Sequence, residues 1–328
     1  MTKIVLGIHG LGNKPPRQTL GLWWRAAIRE GLRNRAYVHP LLKFELIYWA
    51  DILHPQPHDP QEEDEENILF LCEPYVPADD FAHREIDYHR KRWLDYIEEK
   101  MDKLLLKADM SINFQSLTEA VLSRYFQDLE IYFHDEGNDS FSRAANRARE
   151  LIRQRVAKVL QRHRTKEILL IAHSMGSIIA YDVLTQMMPE VKIDTFITIG
   201  SPLGLPVVMS KVFAEQQDQM EFLKKPVCPE NIKKQWYNLS DLEDLVAINY
   251  NLADDYQPNS RGVRAQDMIV HNNYHINGER NPHKSYGYLR TPECARAIHF
   301  FHLGHRNRMV RWLKKRFARV MARYYRRI

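Results

Sequence analysis

Apolar side chains recur with two different periods along this chain. Short continuous apolar runs predict buried strands, and runs with apolar positions three or four residues apart predict helices. Helices are predicted over 17–34, 140–161 and 177–188. The predicted strands cover 3–8, 44–49, 168–172, 195–199, 235–238 and, less distinctly, 267–271. This alternation predicts an α/β fold with a mostly parallel sheet and helices on both faces.

The longest gap between predicted strands runs from 50 to 167, which is too long for a simple crossover. We interpret 51–137 as a largely helical insertion, with helices around 81–107 and 116–133. A cap over a functional site is one interpretation, and decoration packed away from that site is the other. We expect one domain over 1–304 that carries this insertion, followed by a C-terminal helix over 305–328.

The third predicted strand ends abruptly in Ala172-His173-Ser174-Met175-Gly176, and a helical pattern begins at once. A serine in a tight strand-to-helix turn between small residues is typical of a nucleophile elbow. Such a turn strains the serine backbone and lifts Oγ clear of the sheet. The alternative is an ordinary helix whose N-cap is Ser174.

A serine nucleophile also needs donors for the oxyanion that forms on the substrate. The first predicted strand runs into His9-Gly10-Leu11-Gly12, a glycine-rich loop of the kind that turns backbone N–H groups toward a carbonyl. The backbone amides of Leu11 and Met175 are therefore the candidate donors. A generic glycine-rich turn that binds phosphate is the alternative, although neither dinucleotide nor P-loop spacing is present.

A carboxylate and a histidine follow the later strands in the chain order of α/β-hydrolases. Asp244 and Asp241 both stand just beyond the predicted strand at 235–238, and Asp244 is the preferred triad acid. His283 lies in a loop rich in Gly, Asn and Pro, where a base can approach the serine. His271 and His275 are its rivals.

These motifs resemble those of lipase- and esterase-type members of the α/β-hydrolase superfamily. The elbow and the His9-Gly10 loop resemble those of small bacterial lipases, and 178–184 together with Asn238 and the Asp244 segment resemble DDHD-type intracellular phospholipases. The resemblance implies that the loop after the fourth core strand borders the substrate. The residues expected at the substrate are His9, Gly10, His173, Pro202 and Leu203. No metal ion or organic cofactor is expected.

Charge is distributed unevenly around a net value of +5. Charged residues from 51 to 80 are all acidic, whereas those from 305 to 328 are all basic and flank apolar positions at helical spacing. Such a basic amphipathic helix suits an anionic membrane surface, and packing on the core is the alternative. Nucleic acid is the weaker interpretation, because basic residues alone carry no sequence readout.

The N-terminus has no signal-like pattern, and the three cysteines Cys72, Cys228 and Cys294 are widely spaced. We therefore expect reduced thiols and a cytoplasmic protein, either free or peripheral at a membrane. The predicted function is hydrolysis of a small-molecule or lipid carboxylic ester through an acyl-enzyme. The alternatives are acyl transfer or peptide cleavage by the same triad, and a non-catalytic adaptor that binds through its basic tail.

Overall fold

Six parallel strands form the central sheet of the computed structural model, which describes residues 2–37, 42–78, 91, 132, 140–217 and 225–303. The strand order is β2-β1-β3-β4-β5-β6, and every pairing within this sheet is parallel. The strands are β1 (Lys3–Ile8), β2 (Phe44–Ile47), β3 (Glu167–His173), β4 (Ile193–Ile199), β5 (Ile232–Ser240) and β6 (Ala265–Ile269). A short antiparallel hairpin follows, formed by β7 (His275–Ile276) and β8 (Glu279–Arg280).

Helices in the described part of the chain cover both faces of the sheet. They are α1 (Arg17–Asn34), α2 (Ala50–Leu53), α3 (Ser140–Arg162), α4 (Met175–Asp182), α5 (Pro206–Gln217), α6 (Leu252–Asp255), α7 (Ser285–Leu289) and α8 (Pro292–Leu303). One apolar core joins the sheet to α3 and α4, and a second joins the opposite face to α1, α7 and α8. The sequence-based prediction of an α/β fold with a parallel sheet is thus confirmed.

Element boundaries differ from the predicted ones where tertiary contacts override the local pattern. The helix after β3 begins at Met175, two residues earlier than predicted, and passes into a π-helical turn at Val183–Met187. β2 ends at Ile47, because Trp49 already caps α2. The predicted helices at 81–107 and 116–133 and the basic tail at 305–328 lie outside the described residues.

Strand order decides where a site can form. β1 has β2 on one side and β3 on the other, so the chain reverses its direction of winding between β1 and β3. The connection after β1 leads to α1 on one face, and that after β3 leads to α4 on the other. In open parallel sheets a crevice opens at this switch point, beyond the carboxyl ends of the strands. None of the described helices is both long and apolar enough to span a bilayer.

Candidate active site

Ser174 lies at the switch point, directly between the end of β3 and the start of α4. Its backbone has φ 52° and ψ −131°, a region that costs a non-glycine residue about 1–3 kcal/mol. Ser174 occupies the N-cap position, but its side chain makes no capping hydrogen bond. The tight turn requires small neighbours: a Cβ on Gly176 would stand 2.6 Å from the carbonyl oxygen of His9. The local geometry is therefore that of a nucleophile elbow.

The side chains of Ser174, His283 and Asp244 meet in one hydrogen-bonded chain. His283 Nε2 lies 3.0 Å from Ser174 Oγ, and His283 Nδ1 lies 2.9 Å from each carboxylate oxygen of Asp244. Because an ionised carboxylate only accepts hydrogen bonds, Nδ1 carries the proton and Nε2 is the acceptor that faces the serine. This is the arrangement a general base requires.

Asp244 is fully buried and is held by three donors. Besides His283, the backbone N–H of Val246 donates to Oδ1 at 3.0 Å, and the hydroxyl of Tyr288 donates to Oδ2 at 2.7 Å. The same Tyr288 hydroxyl accepts a hydrogen bond from the backbone N–H of Asp241 at 2.9 Å. Burial, and then the charge of Asp244, raise the pKa of Tyr288 well above its ordinary value. Tyr288 therefore stays protonated and donates to the carboxylate.

The other predicted acid, Asp241, faces a different partner. Its carboxylate pairs with Arg280 and accepts the backbone N–H groups of Glu243 and Asn272. Burial raises the pKa of Asp241, and the nearby Arg280 opposes that shift. The rival base His271 lies 3.9 Å from Asp241 and 3.1 Å from Arg280, so it belongs to this second cluster.

The loop after β1 passes immediately beside the serine. A Cβ on Gly10 would stand 2.7 Å from Ser174 Cβ, so only glycine permits this approach. Within the described residues, the backbone amides of Leu11 and Met175 donate to no other group. Lys14 Nζ binds the carbonyl oxygens of Leu11, Gly12 and Asn13, which fixes the loop from its other side. Two unused amide donors thus flank the serine, that of Leu11 in the loop after β1 and that of Met175 at the start of α4.

His9 and His173 are buried beside the site, and their ring nitrogens bond to the protein backbone. His9 Nδ1 donates to the carbonyl of Gly10 at 2.7 Å, and Nε2 accepts the backbone N–H of Trp49 at 3.0 Å. Burial, and then the charge of Lys14, lower the pKa of His9 to about 3. His173 Nε2 donates to the carbonyl of His283 at 2.7 Å, and burial lowers the pKa of His173 well below its ordinary value. Both imidazoles are neutral, and both hold loops of the site.

Pro202 and Leu203 lie in the connection from β4 to α5 and are buried. Just before them, Gly200 takes φ +52°, and a Cβ there would stand 2.8 Å from Asp244 Oδ2. The resemblance places the loop that contains Gly200 beside the substrate, but no sequence motif indicates that Gly200 or Tyr288 contacts the carboxylate of Asp244. The glycine before Ser201 is visible in the sequence, but nothing local indicates that it lies against the carboxylate. Tyr288 carries no sequence signal.

The described start of the insertion lies against the site loops. The backbone N–H of His58 donates to the carbonyl of Lys14 at 3.0 Å. Further along, Glu73 forms an ion pair of 2.9 Å with Lys284, the residue after His283. These contacts place the described part of the insertion beside the site loops. The remainder of the insertion lies outside the described residues, so a cap stays a prediction.

Comparison with known families gives one match. Residues 107–286, more than half of the chain, match the PGAP1-like alpha/beta domain. The chain belongs to this family. The match contains Ser174, Asp244 and His283, whereas the glycine-rich loop after β1 precedes it. A search of curated proteins found no match.

The PGAP1-like family is a lipase- or esterase-like family of α/β-hydrolases, so the sequence-based recognition is confirmed. The protein has a hydrolase fold with a six-stranded parallel sheet. Family membership does not by itself specify a reaction, because one fold supports many activities.

Proposed function

We propose that this protein is a serine hydrolase that cleaves carboxylic esters. The observation that carries the proposal is the position of His283, whose two ring nitrogens bridge Ser174 Oγ at 3.0 Å and Asp244 at 2.9 Å. An unactivated serine hydroxyl is a weak nucleophile. It is activated by an adjacent general base that a third group orients. The strained backbone of Ser174 adds support.

In the proposed first half-reaction, Ser174 Oγ attacks the ester carbonyl while His283 Nε2 takes the hydroxyl proton. Asp244 holds the imidazole in its productive tautomer and stabilises the imidazolium that forms. The tetrahedral intermediate collapses, the ester C–O bond breaks, and His283 returns the proton to the leaving alcohol. The acyl group is then bonded to Ser174.

The second half-reaction repeats these steps with water. His283 removes a proton from water, and the resulting hydroxide attacks the acyl-enzyme carbonyl. The bond between the acyl carbon and Ser174 Oγ then breaks, and His283 returns the proton to Ser174 Oγ. The carboxylic acid product leaves, and the starting enzyme is restored. The same acyl-enzyme would perform acyl transfer if another acceptor replaced water, and peptide cleavage if a peptide replaced the ester. Both alternatives stay predictions.

The proposed oxyanion donors are the backbone amides of Leu11 and Met175. Both are free of other acceptors within the described residues, and Met175 begins α4, whose N-terminus carries partial positive charge. Loss of one such donor typically costs about 10²–10³ in rate. We propose Gly10, Pro202 and Leu203 as neighbours of the substrate. His9 and His173 are proposed as structural supports, because their ring nitrogens are engaged within the protein.

Labelling with a fluorophosphonate probe tests the activated serine directly. Wild-type protein should react, Ser174→Ala should not, and His283→Ala should react at least 10²-fold more slowly. His275→Ala and the surface variant Ser260→Ala are matched controls that should label like wild type. Labelling that persists in Ser174→Ala would refute the assignment of the nucleophile.

The class of substrate is tested separately with p-nitrophenyl esters of increasing chain length and with phospholipid vesicles. Turnover of short soluble esters alone would indicate an esterase, and preference for vesicles a lipase or phospholipase. Folded wild-type protein that neither labels nor hydrolyses any ester would contradict the proposal and favour the adaptor interpretation. The predicted membrane binding would depend on the basic tail, which lies outside the described residues, so that partner also stays a prediction.

A further inference from the structure

Asn272 is a fully buried polar residue that lies just beyond β6 and close to the base loop, which we define as residues 281–284. Its Nδ2 donates to the carbonyl oxygen of Pro282 and to that of Lys284, both at 2.8 Å. These two carbonyls belong to the residues on either side of His283. One carboxamide therefore holds the base loop before and after the imidazole.

Asn272 is itself held at every polar group. Its Oδ1 accepts the backbone N–H of Tyr274 at 3.1 Å, and its own N–H donates to Asp241 Oδ2 at 2.6 Å. Its carbonyl accepts Arg280 Nε at 2.8 Å. Asp241, the acid that does not contact His283, thus supports the residue that holds the base loop.

Close packing leaves the carboxamide no room to move. A Cβ on Gly287 would stand only 1.6 Å from Asn272 Oδ1, so the side chain occupies the space that a larger residue at 287 would fill. All hydrogen bonds of this buried amide are made. Loss of a partner would leave a buried polar group unpaired, which costs the full free energy of its desolvation.

Two further contacts fix the backbone of His283. Its N–H donates to Asn281 Oδ1 at 2.9 Å, and its carbonyl accepts His173 Nε2 at 2.7 Å. With Asn272 included, three consecutive carbonyls of the base loop are bound by side chains from outside it. The loop contains no helix or strand, so these contacts take the place of a backbone ladder.

We propose that Asn272 is a positioning residue for the base, which keeps His283 Nε2 within hydrogen-bonding reach of Ser174 while Nδ1 stays on Asp244. The inference rests on the proposed hydrolase function. Each turnover requires four proton transfers at His283 Nε2, and the partner of that nitrogen changes from one step to the next. A displacement of about 1 Å in such a group can cost about 10²-fold in rate.

The test compares Asn272→Asp with a matched variant, Asn259→Asp. Aspartate has the shape of asparagine but lacks both N–H donors, and its oxygen would face two carbonyl oxygens. Asn259 is also buried, and its Nδ2 donates to the carbonyls of Pro229 and Ile232, both at 3.0 Å, near the start of β5 and away from the site. Both variants lose the same kind of hydrogen bonds.

We expect Asn272→Asp to lower kcat about 10²-fold with a smaller change in KM, whereas Asn259→Asp keeps wild-type kcat despite a comparable fall in Tm. Asn272→Ser removes both amide N–H donors without adding charge, its single shorter O–H cannot bind both carbonyls at once, and it serves if the aspartate variant does not fold. Full kcat in a folded Asn272 variant would overturn the proposal. Equal losses of kcat in Asn272→Asp and Asn259→Asp would overturn it too, because they would show an effect of stability alone.

A second readout does not depend on turnover. The Nδ1 proton of His283, bonded to Asp244, should give a far-downfield proton resonance that is present in wild type and Asn259→Asp and lost in Asn272→Asp. If wild type neither labels nor hydrolyses esters, the proposed function fails and this resonance alone decides the role of Asn272. A resonance that survives in Asn272→Asp would overturn the positioning role.

Discussion

Replacement of Gly200 by alanine should disturb the geometry of the candidate triad although none of its three residues is substituted. The added Cβ would stand 2.8 Å from Asp244 Oδ2, 3.0 Å from Tyr288 Cε2 and 3.2 Å from His283 Nδ1. Nonbonded atoms rest at roughly 3.5 Å or more, so these atoms must move apart. Gly200 cannot easily retreat, because its N–H is bonded to the carbonyl of Leu239 at 3.0 Å.

Two costs add in this variant. Alanine at a positive φ costs about 1–2 kcal/mol, and the overpacking against the carboxylate and the ring adds about 1–3 kcal/mol. The second cost acts on the hydrogen bond between Asp244 and His283. We therefore expect a loss of stability of about 2–5 kcal/mol and a fall in kcat of about 10²-fold.

Gly262→Ala separates the two costs. Gly262 has φ +73°, but nothing lies within 4 Å of the position that a Cβ would take, so alanine there meets backbone strain alone. Urea unfolding should give Gly262→Ala the smaller loss of stability, with wild-type rates of ester hydrolysis. The reasoning is refuted if Gly200→Ala keeps wild-type kcat, or if both variants lose the same activity.

Asp244→Asn should lower kcat by about 10⁴-fold, because the imidazole loses its orienting carboxylate, whereas Asp241→Asn should lower kcat by less than about 10²-fold; equal losses in ester hydrolysis would contradict this. Tyr288→Phe leaves the backbone N–H of Asp241 buried without its acceptor, so urea unfolding should show a loss of about 1–3 kcal/mol, with kcat about tenfold lower. The pKa of His9 falls from 6.5 to about 3 on folding, so its stabilising contribution is complete above pH 6.5 and is lost as the pH falls toward 3. Between pH 7 and pH 4.5 that loss is about 2.5 kcal/mol, and His9→Phe should show a correspondingly flatter pH dependence of unfolding.

The elements of the sheet were predictable because their signal is local. The run before Ser174 is continuously apolar, and all of its residues from Ile168 to Ala172 are fully buried between two layers of helices. Such a strand needs no distant information to be recognised. The signal of α1 is local too, because its apolar positions recur at helical spacing, and its predicted and observed bounds agree.

The sequence favoured Asp244 over Asp241 as the acid but could not decide between them. The two carboxylates stand three residues apart after the same strand, and both are buried. Asp244 caps a 3₁₀ turn at Leu245–Ala247, and this turn directs its carboxylate toward His283, whereas Asp241 is taken by Arg280 from the β7–β8 hairpin. Contacts between residues far apart along the chain decide which acid meets the base.

By itself, the sequence determined the parallel sheet, the chain order of the motifs that follow its strands, the strained serine at the end of β3 and the glycine-rich loop after β1. These features depend on neighbours within a few positions, so periodicity and turn chemistry report them. Only the tertiary structure decided that Asp244 faces His283, that Tyr288 and Gly200 lie against the carboxylate, and that Asn272 holds the base loop. Those contacts join residues that are distant along the chain, and they arise only when packed layers bring the loops together at one edge of the sheet.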